Sequence, residues 1–221
     1  MTLHTRLAAF AAVAIITACS TDEYPTGDSD YSYLKAEMAM VTTSEAKILH
    51  HALADSGDSL VFTPQMNCSW ATTPDSTYRA MVYYSCEDPL PNVRGISAQQ
   101  VLVLRIPKNK PDSIKTDPLS FESAWIDNRR GFLNLGLYVM TGKNGDADRR
   151  QTVGIICDTI VGNAGRPHTY NITLLHNQND VPQNYSARVY VSIPIGGMNI
   201  GDTIHLNANT YDGVVTRSFV K

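Results

Sequence analysis

Apolar and polar residues alternate along many short stretches of this chain, which is the pattern of β-strands with one buried face. The clearest examples cover residues 79–86, 101–106, 132–140, 152–161 and 187–193. No stretch of ten or more residues has a clear period of 3.6, the period that predicts an amphipathic helix. Residues 44–53 come nearest to it, and we still expect a strand there. The pattern predicts an all-β protein.

Turn-forming residues separate these stretches. Clusters of Gly, Pro, Asp, Asn and Ser occupy residues 55–58, 73–76, 143–146 and 179–182. The first of them, Asp-Ser-Gly-Asp, lies between two apolar runs of strand length. It predicts a tight hairpin in which one residue adopts a positive φ.

The charged segment 108–115, which contains Pro and Asp, divides the body of the chain into two strand-rich parts. Residues 31–110 have room for about five strands, the size of a small OB-like barrel. Residues 111–221 have room for about six or seven strands separated by turns, which favours a β-sandwich. We therefore expect a barrel domain followed by a sandwich domain.

The N-terminus has the features of an export signal. Residues 1–18 contain a single basic residue, Arg6, followed by an apolar run that is much shorter than a membrane-spanning helix. Residues 16–19, Ile-Thr-Ala-Cys, resemble a bacterial lipobox, in which Cys19 would be lipidated and become the new N-terminus. The alternative is an ordinary signal peptide with a Cys nearby by chance.

Residues 19–30 are polar and contain four acids without a base. This composition predicts a flexible tether after the lipidated Cys19. Asp22 and Glu23 resemble a surface-export signal of bacterial lipoproteins. We expect an outer-membrane lipoprotein displayed on the cell surface, and the periplasmic leaflet is the alternative location.

The formal net charge of −3 resides in these N-terminal segments. Residues 1–18 contribute +1 and residues 19–30 contribute −4, so the remaining body has no net charge. A neutral body argues against a nucleic-acid partner, since such proteins need a basic face against phosphate. A hydrophobic content of 43% also argues against a disordered chain.

Several short motifs together resemble the NigD-like lipoproteins. They are residues 78–84, Asp117-Pro118, residues 123–126 and residues 131–135, with Trp125 followed by Phe-Leu-Asn-Leu as the most specific piece. The resemblance implies an OB-like barrel and a C-terminal β-sandwich behind a lipid anchor. The family name implies at most a link to bacteriocin biology, and the family supplies no catalytic or ligand residues.

Three cysteines follow Cys19. Cys68 and Cys86 could form a disulfide between neighbouring strands in an oxidising compartment. If the intervening turn is centred near Asp75, this bridge requires a bulge or a different register, because Cys68 would face about residue 82. Cys157 lies in an apolar strand, and we expect a buried, unreactive thiol.

No sequence pattern indicates catalysis or metal binding. His176 is expected at the rim of a strand. Residues 144–148 have alternating oxygen ligands, but Arg149 stands where a calcium loop needs Gly. We therefore predict no catalytic residue, no metal site and no cofactor. An envelope enzyme whose site is assembled from separate loops is the weakest alternative.

Exposed aromatic side chains are the remaining candidates for binding, because Trp and Tyr next to Arg are frequent in protein interfaces and sugar sites. Trp70 and Trp125 are the candidates, and ordinary packing in a core or between domains is the competing interpretation. We predict a non-enzymatic binding or accessory module for a macromolecule, which could be a bacteriocin-like polypeptide. The alternative is a glycan-binding lipoprotein of a saccharide-uptake system.

Overall fold

The computed structural model of the protein describes residues 33–85, 89–111, 113–127, 129, 131–143, 149–162, 165 and 167–221. Every regular element in this part of the chain is a β-strand, and the strands form a closed barrel and two further sheets. The predicted fold class, an all-β protein with an OB-like barrel followed by a β-sandwich, is confirmed.

Five strands close into the N-terminal barrel in the order β1-β2-β3-β5-β4. They are β1 (Leu34–Glu45), β2 (Ile48–Ala54), β3 (Ser59–Asn67), β4 (Thr77–Ser85) and β5 (Asn92–Gln100). Neighbours pair antiparallel, except for the parallel contact between β3 and β5. Alternate residues such as Val41, Leu60, Val82 and Tyr84 are fully buried inside the barrel.

The second part of the fold consists of two four-stranded sheets, with orders β6-β11-β8-β7 and β13-β12-β10-β9. Their apolar faces share one core of buried Leu, Ile and Val side chains. The strands are β6 (Leu102–Val103), β7 (Ser120–Asp127), β8 (Phe132–Thr141), β9 (Thr152–Val161), β10 (Thr169–Asn177), β11 (Tyr185–Pro194), β12 (Thr203–Thr210) and β13 (Gly213–Val220).

Turn geometry agrees with the sequence at one hairpin and differs at another. Gly57 has a φ of 100° in the β2–β3 hairpin, so the predicted tight turn is confirmed. The expected strand over residues 44–53 is confirmed except at residues 46 and 47, where a turn separates β1, which ends at Glu45, from β2, which begins at Ile48. Lys47 reverses the chain there with a φ of 68°.

The chain passes from barrel to sandwich at Val101, since β5 ends one residue before it and β6 begins one residue after it. β6 pairs parallel with β11 and therefore already belongs to a sandwich sheet. The proposed domain limit at residues 110/111 stays a prediction. Among the described residues, no helix is long and apolar enough to span a membrane.

A buried arginine joins the barrel to the sandwich. The side chain of Arg79, on β4, has no solvent exposure and forms two hydrogen bonds with the Asp55 carboxylate, at 2.6 and 2.5 Å. It also donates to Asn134 Oδ1 at 3.0 Å and to Ser192 Oγ at 3.1 Å, and it lies 4.4 Å from the ring centre of Phe132. One guanidinium thus links both parts of the fold.

Replacing Arg79 by Ala should lower the free energy of unfolding by about 3–5 kcal/mol, because the Asp55 carboxylate would remain largely buried without its partner. Urea denaturation of the full chain, followed by tryptophan fluorescence, measures this loss. Arg217→Ala, on the exposed β13, is the matched control and should change stability by less than about 0.5 kcal/mol. Equal stability of the two variants would contradict the assigned role of Arg79.

Candidate functional site: the Arg188 cluster

The sheet β6-β11-β8-β7 has one face in the sandwich core and one face outside it. Leu133, Leu135 and Leu137 of β8 are fully buried in the core. Because side chains alternate along a strand, Asn134, Gly136 and Tyr138 lie on the outer face. Their partners on β11 are Ser192, Tyr190 and Arg188.

The barrel covers one end of this outer face. Its contacts there include the hydrogen bonds of Arg79 to Asn134 and Ser192. Next along the face, Tyr83 of the barrel and Tyr190 of the sheet pack against a small apolar cluster of Met38, Met81 and Val101. The face beyond Tyr190 is left to solvent.

Four side chains form the site at this uncovered end, and we call them the Arg188 cluster: Glu122, Tyr138, Arg188 and Tyr190. Arg188 donates hydrogen bonds to Tyr138 Oη at 2.6 and 3.1 Å, and to Tyr190 Oη at 3.3 Å. It also forms an ion pair with Glu122, which accepts a hydrogen bond from Tyr138 Oη at 3.2 Å. Each member therefore holds its neighbours in place.

The guanidinium also lies near the tyrosine rings, with its carbon 5.2 Å from the ring centre of Tyr138 and 5.9 Å from that of Tyr190. The two tyrosine hydroxyls raise the pKa of Arg188, and the Glu122 carboxylate adds to the effect. The cluster therefore presents a fixed positive charge framed by aromatic rings. Arg188 remains 45% exposed and can contact a partner.

Gly136 allows Glu122 to reach this position. A bulge in β7 between Phe121 and Ser123 accommodates Glu122, whose carboxylate contacts Tyr138 and Arg188 on the outer face. A Cβ atom at Gly136 would lie 2.7 Å from Ser123 Oγ and 2.9 Å from Glu122 Oε2. A larger residue at this position would therefore displace these two side chains from over β8.

The barrel also contributes to the border of the cluster. Burial raises the pKa of Tyr83, and the neighbouring Tyr190 adds to this shift, whereas the positive charge of Arg188 opposes it. Tyr83 pairs with Ala36, two residues after the first residue of β1. The N-terminal end of the barrel thus lies next to the Arg188 cluster.

The two candidate tryptophans have different environments. Trp70 packs on the barrel core, donates a hydrogen bond to the carbonyl of Ala98 at 3.0 Å, and meets the edge of the Tyr78 ring at 5.6 Å. Trp125 is 38% exposed on β7, where it pairs with Asn134 of the outer face. Only Trp125 is presented to solvent in the way that a binding role requires.

The other predicted site residues are less informative. Cys68 is buried, and burial raises the pKa of its thiol. Cys86 lies outside the described residues, so their disulfide stays a prediction. Cys19, Asp22 and Glu23 lie outside them as well, as does the segment 144–148.

Two expectations about reactive residues need revision. His176 is not a rim residue, because it is buried and its ring contacts the carbonyl of Asp117 at 3.1 Å and Gln151 Oε1 at 2.9 Å. The segment of residues 115–117 explains this burial, since it forms an isolated β-bridge with the end of β10. Cys157 is only half-buried, and desolvation together with the neighbouring Asp158 raises its pKa.

Within the described part of the chain, no group of three His, Cys, Asp or Glu side chains is arranged to hold a metal ion. The sequence pattern alone does not reveal the Arg188 cluster. The available signal was the two-residue spacing of Arg188 and Tyr190 on one strand, which places both on one face. The contribution of β7 and β8 was not evident, because it depends on strand order.

The barrel, the sandwich and the exposed cluster together define an all-β protein of the barrel-plus-sandwich class. A family model described as the NigD-like C-terminal beta sandwich domain matches residues 103–220. The chain belongs to the NigD-like family, and the resemblance noted from its sequence motifs is confirmed. A search of curated proteins gives no match.

Solved structures share the architecture. A NigD-like immunity protein from Bacteroides caccae aligns with a TM-score of 0.64 at 22% identity over 84% of this chain and 96% of its own. A toxin-related protein from Parabacteroides distasonis gives 0.62 at 19%, with coverages of 85% and 93%. A lipoprotein from Bacteroides fragilis gives 0.51 at 12%, with coverages of 84% and 98%. At these identities the similarity establishes the fold.

Replacing Gly136 by Ala should displace Glu122 from Arg188 and lower the free energy of unfolding by about 1–3 kcal/mol, because the new Cβ overlaps two neighbouring side chains. Gly154→Ala on β9 is the matched control, since its Cβ would meet no atom closer than 3.8 Å. Chemical denaturation compares the two. If Gly136→Ala is as stable as the control, the close packing of the cluster is refuted.

Proposed function

We propose that this protein is a lipid-anchored component of the bacterial envelope that binds a polypeptide partner through the Arg188 cluster. The observation that carries the proposal is the exposed Arg188, held in place by Tyr138, Tyr190 and Glu122 on a sheet face that the barrel leaves open. The proposed activity is binding rather than catalysis.

The chemistry of the cluster favours a protein partner. Arg and Tyr are enriched among the residues that dominate binding energy in protein interfaces. Here their side chains are already fixed by mutual hydrogen bonds, so a partner loses less by ordering them. Arg188 also lies near both tyrosine rings, which leaves less ring surface for stacking a sugar.

The structural neighbours support a partner connected with bacterial competition. One is named an immunity protein and another a toxin-related protein. A bacteriocin-like polypeptide is the partner we propose on this basis.

The anchor supports a location at the membrane surface. We propose that Cys19 carries the lipid and that Asp22 and Glu23 direct the protein to the cell surface. The neighbour named a lipoprotein is consistent with an anchored protein. Because β1 begins at Leu34, the tether reaches the barrel at the end that borders the Arg188 cluster.

Photo-crosslinking from the face of the cluster tests the binding proposal. A photoreactive amino acid at Ser186, exposed on β11 two residues before Arg188, should capture one defined polypeptide on intact cells. The same group at the exposed Ser218 on β13 is the control and should not capture it. Adding Arg188→Ala should reduce capture at Ser186 by about tenfold or more. Equal capture from both positions, or capture unaffected by Arg188→Ala, would reject this surface.

Replacing Cys19 by Ala tests the anchor. The variant should leave the membrane fraction, because each buried acyl CH₂ contributes about 0.8 kcal/mol to membrane binding and all of these contributions are lost. Fractionation after carbonate and high-salt washes, with detection by immunoblot, gives the distribution. Cys68→Ala serves as the control and should remain in the membrane. Persistence of the Cys19→Ala variant in washed membranes would eliminate lipidation at this residue.

A further inference from the structure

A polar groove lies at the end of the sandwich and shares no residue with the Arg188 cluster. Its volume is about 790 Å³, and it is lined by the segment from Asn177 to Gln183 together with Lys115, Asp117 and Pro118. The segment from Asn177 to Gln183 joins the end of β10 to β11. Lys115, Asp117 and Pro118 lie between β6 and β7.

The wall of the groove is held by backbone pairing. The amide of Asp117 donates to the carbonyl of His176 at 2.9 Å, and the amide of His176 donates to the carbonyl of Lys115 at 3.0 Å. Gln178 is buried, its amide donates to Asp117 Oδ2 at 2.7 Å, and its side chain donates to the carbonyls of Met140 and Val181 at 2.9 Å. The groove is therefore preformed.

These same bonds orient polar atoms that have no other use in the described structure. Asn177 Oδ1 accepts a hydrogen bond from the backbone amide of Asn179 at 2.9 Å. The side-chain NH₂ group of Asn177 has no hydrogen-bond acceptor among the described residues. Asn179 donates its NH₂ to the carbonyl of Arg150 at 3.0 Å, and its Oδ1 has no donor within the same set. Asp117 likewise has one oxygen bonded and the other without a partner there.

The groove thus combines a fixed donor with two fixed acceptors. Charge is nearly balanced, since the lining contains both Lys115 and Asp117, and Asp180 is paired with Arg149 at 2.9 Å. A balanced lining disfavours a strongly charged ligand. Hydroxyl groups both donate and accept, so neighbouring hydroxyls of a sugar ring match this set. Pro118, Val181 and Pro182 supply apolar surface for the C–H face of such a ring.

We propose that this groove binds a neutral saccharide, as a second binding site separate from the polypeptide surface. Ring stacking plays no part in it, because none of the described residues that line it is aromatic. Recognition depends on the amide of Asn177, the side-chain oxygen of Asn179 and the carboxylate of Asp117.

Two nearly isosteric variants test the site. Asn177→Asp keeps the oxygen that accepts the amide of Asn179 but removes the outward NH₂ donor. Asp117→Asn keeps an oxygen for the amide of Gln178 but removes the carboxylate. Asn92→Asp, at the exposed start of β5, makes the same charge change as the first variant far along the chain from the groove.

The full chain, purified in a detergent without a sugar head group, is applied to an array of neutral mono- to tetrasaccharides, and bound sugars are then titrated by NMR. We expect a sugar to shift the side-chain NH₂ signal of Asn177. Loss of one hydrogen bond should weaken binding about five- to tenfold in each groove variant, and Asn92→Asp should bind like the wild type. Matching melting temperatures exclude misfolding as the cause.

Absence of any bound sugar overturns the proposal, as does a sugar that binds the groove variants unchanged. If no sugar binds but crosslinking of the polypeptide from Ser186 is lost in Asn177→Asp, the groove belongs to the polypeptide site. Failure of the crosslinking experiment alone leaves the saccharide result standing, so the two proposals are separable.

Discussion

The buried guanidinium of Arg79 is the interaction on which the arrangement of this molecule depends. A charged group without solvent must have its donors satisfied, and Asp55, Asn134 and Ser192 provide the partners from both parts of the fold. Apolar contacts alone tolerate sliding of one surface over another. A bidentate ion pair with two further hydrogen bonds has one satisfactory geometry, which fixes the barrel at one end of the outer sheet face.

This placement determines what the rest of that face can do. The barrel covers Asn134 and Ser192, while Tyr83 and Tyr190 form its border, so Arg188 and Tyr138 remain accessible. The uncovered end would be a loose set of long side chains if its members were independent. Gly136 permits Glu122 to approach Arg188, and the tyrosine hydroxyls accept further hydrogen bonds from the guanidinium. The resulting surface is ordered before any partner arrives.

The sequence predicted the features that depend on neighbouring residues. Alternation of apolar residues identified strands and the fold class, and Asp-Ser-Gly-Asp identified the β2–β3 hairpin because Gly57 adopts a positive φ. The chain reverses at Lys47, and no Gly, Pro, Asn or Asp marks this turn in the sequence, so the break between β1 and β2 was missed. The Arg188 cluster and the burial of His176 were missed for a different reason: each depends on which distant segments pair, and alternation within one strand does not contain that information.

The neutral body has a physical consequence for recognition. Several of its charges are paired within the fold, as in Arg79 with Asp55, Arg188 with Glu122 and Arg149 with Asp180. A protein whose charges are paired and balanced in this way exerts little long-range attraction on a partner, so encounter is not accelerated by electrostatic steering. The proposed membrane tether would raise the local concentration of the two proposed binding surfaces without any such field. In the proposed functions, selectivity then comes from fixed short-range contacts at the Arg188 cluster and in the groove.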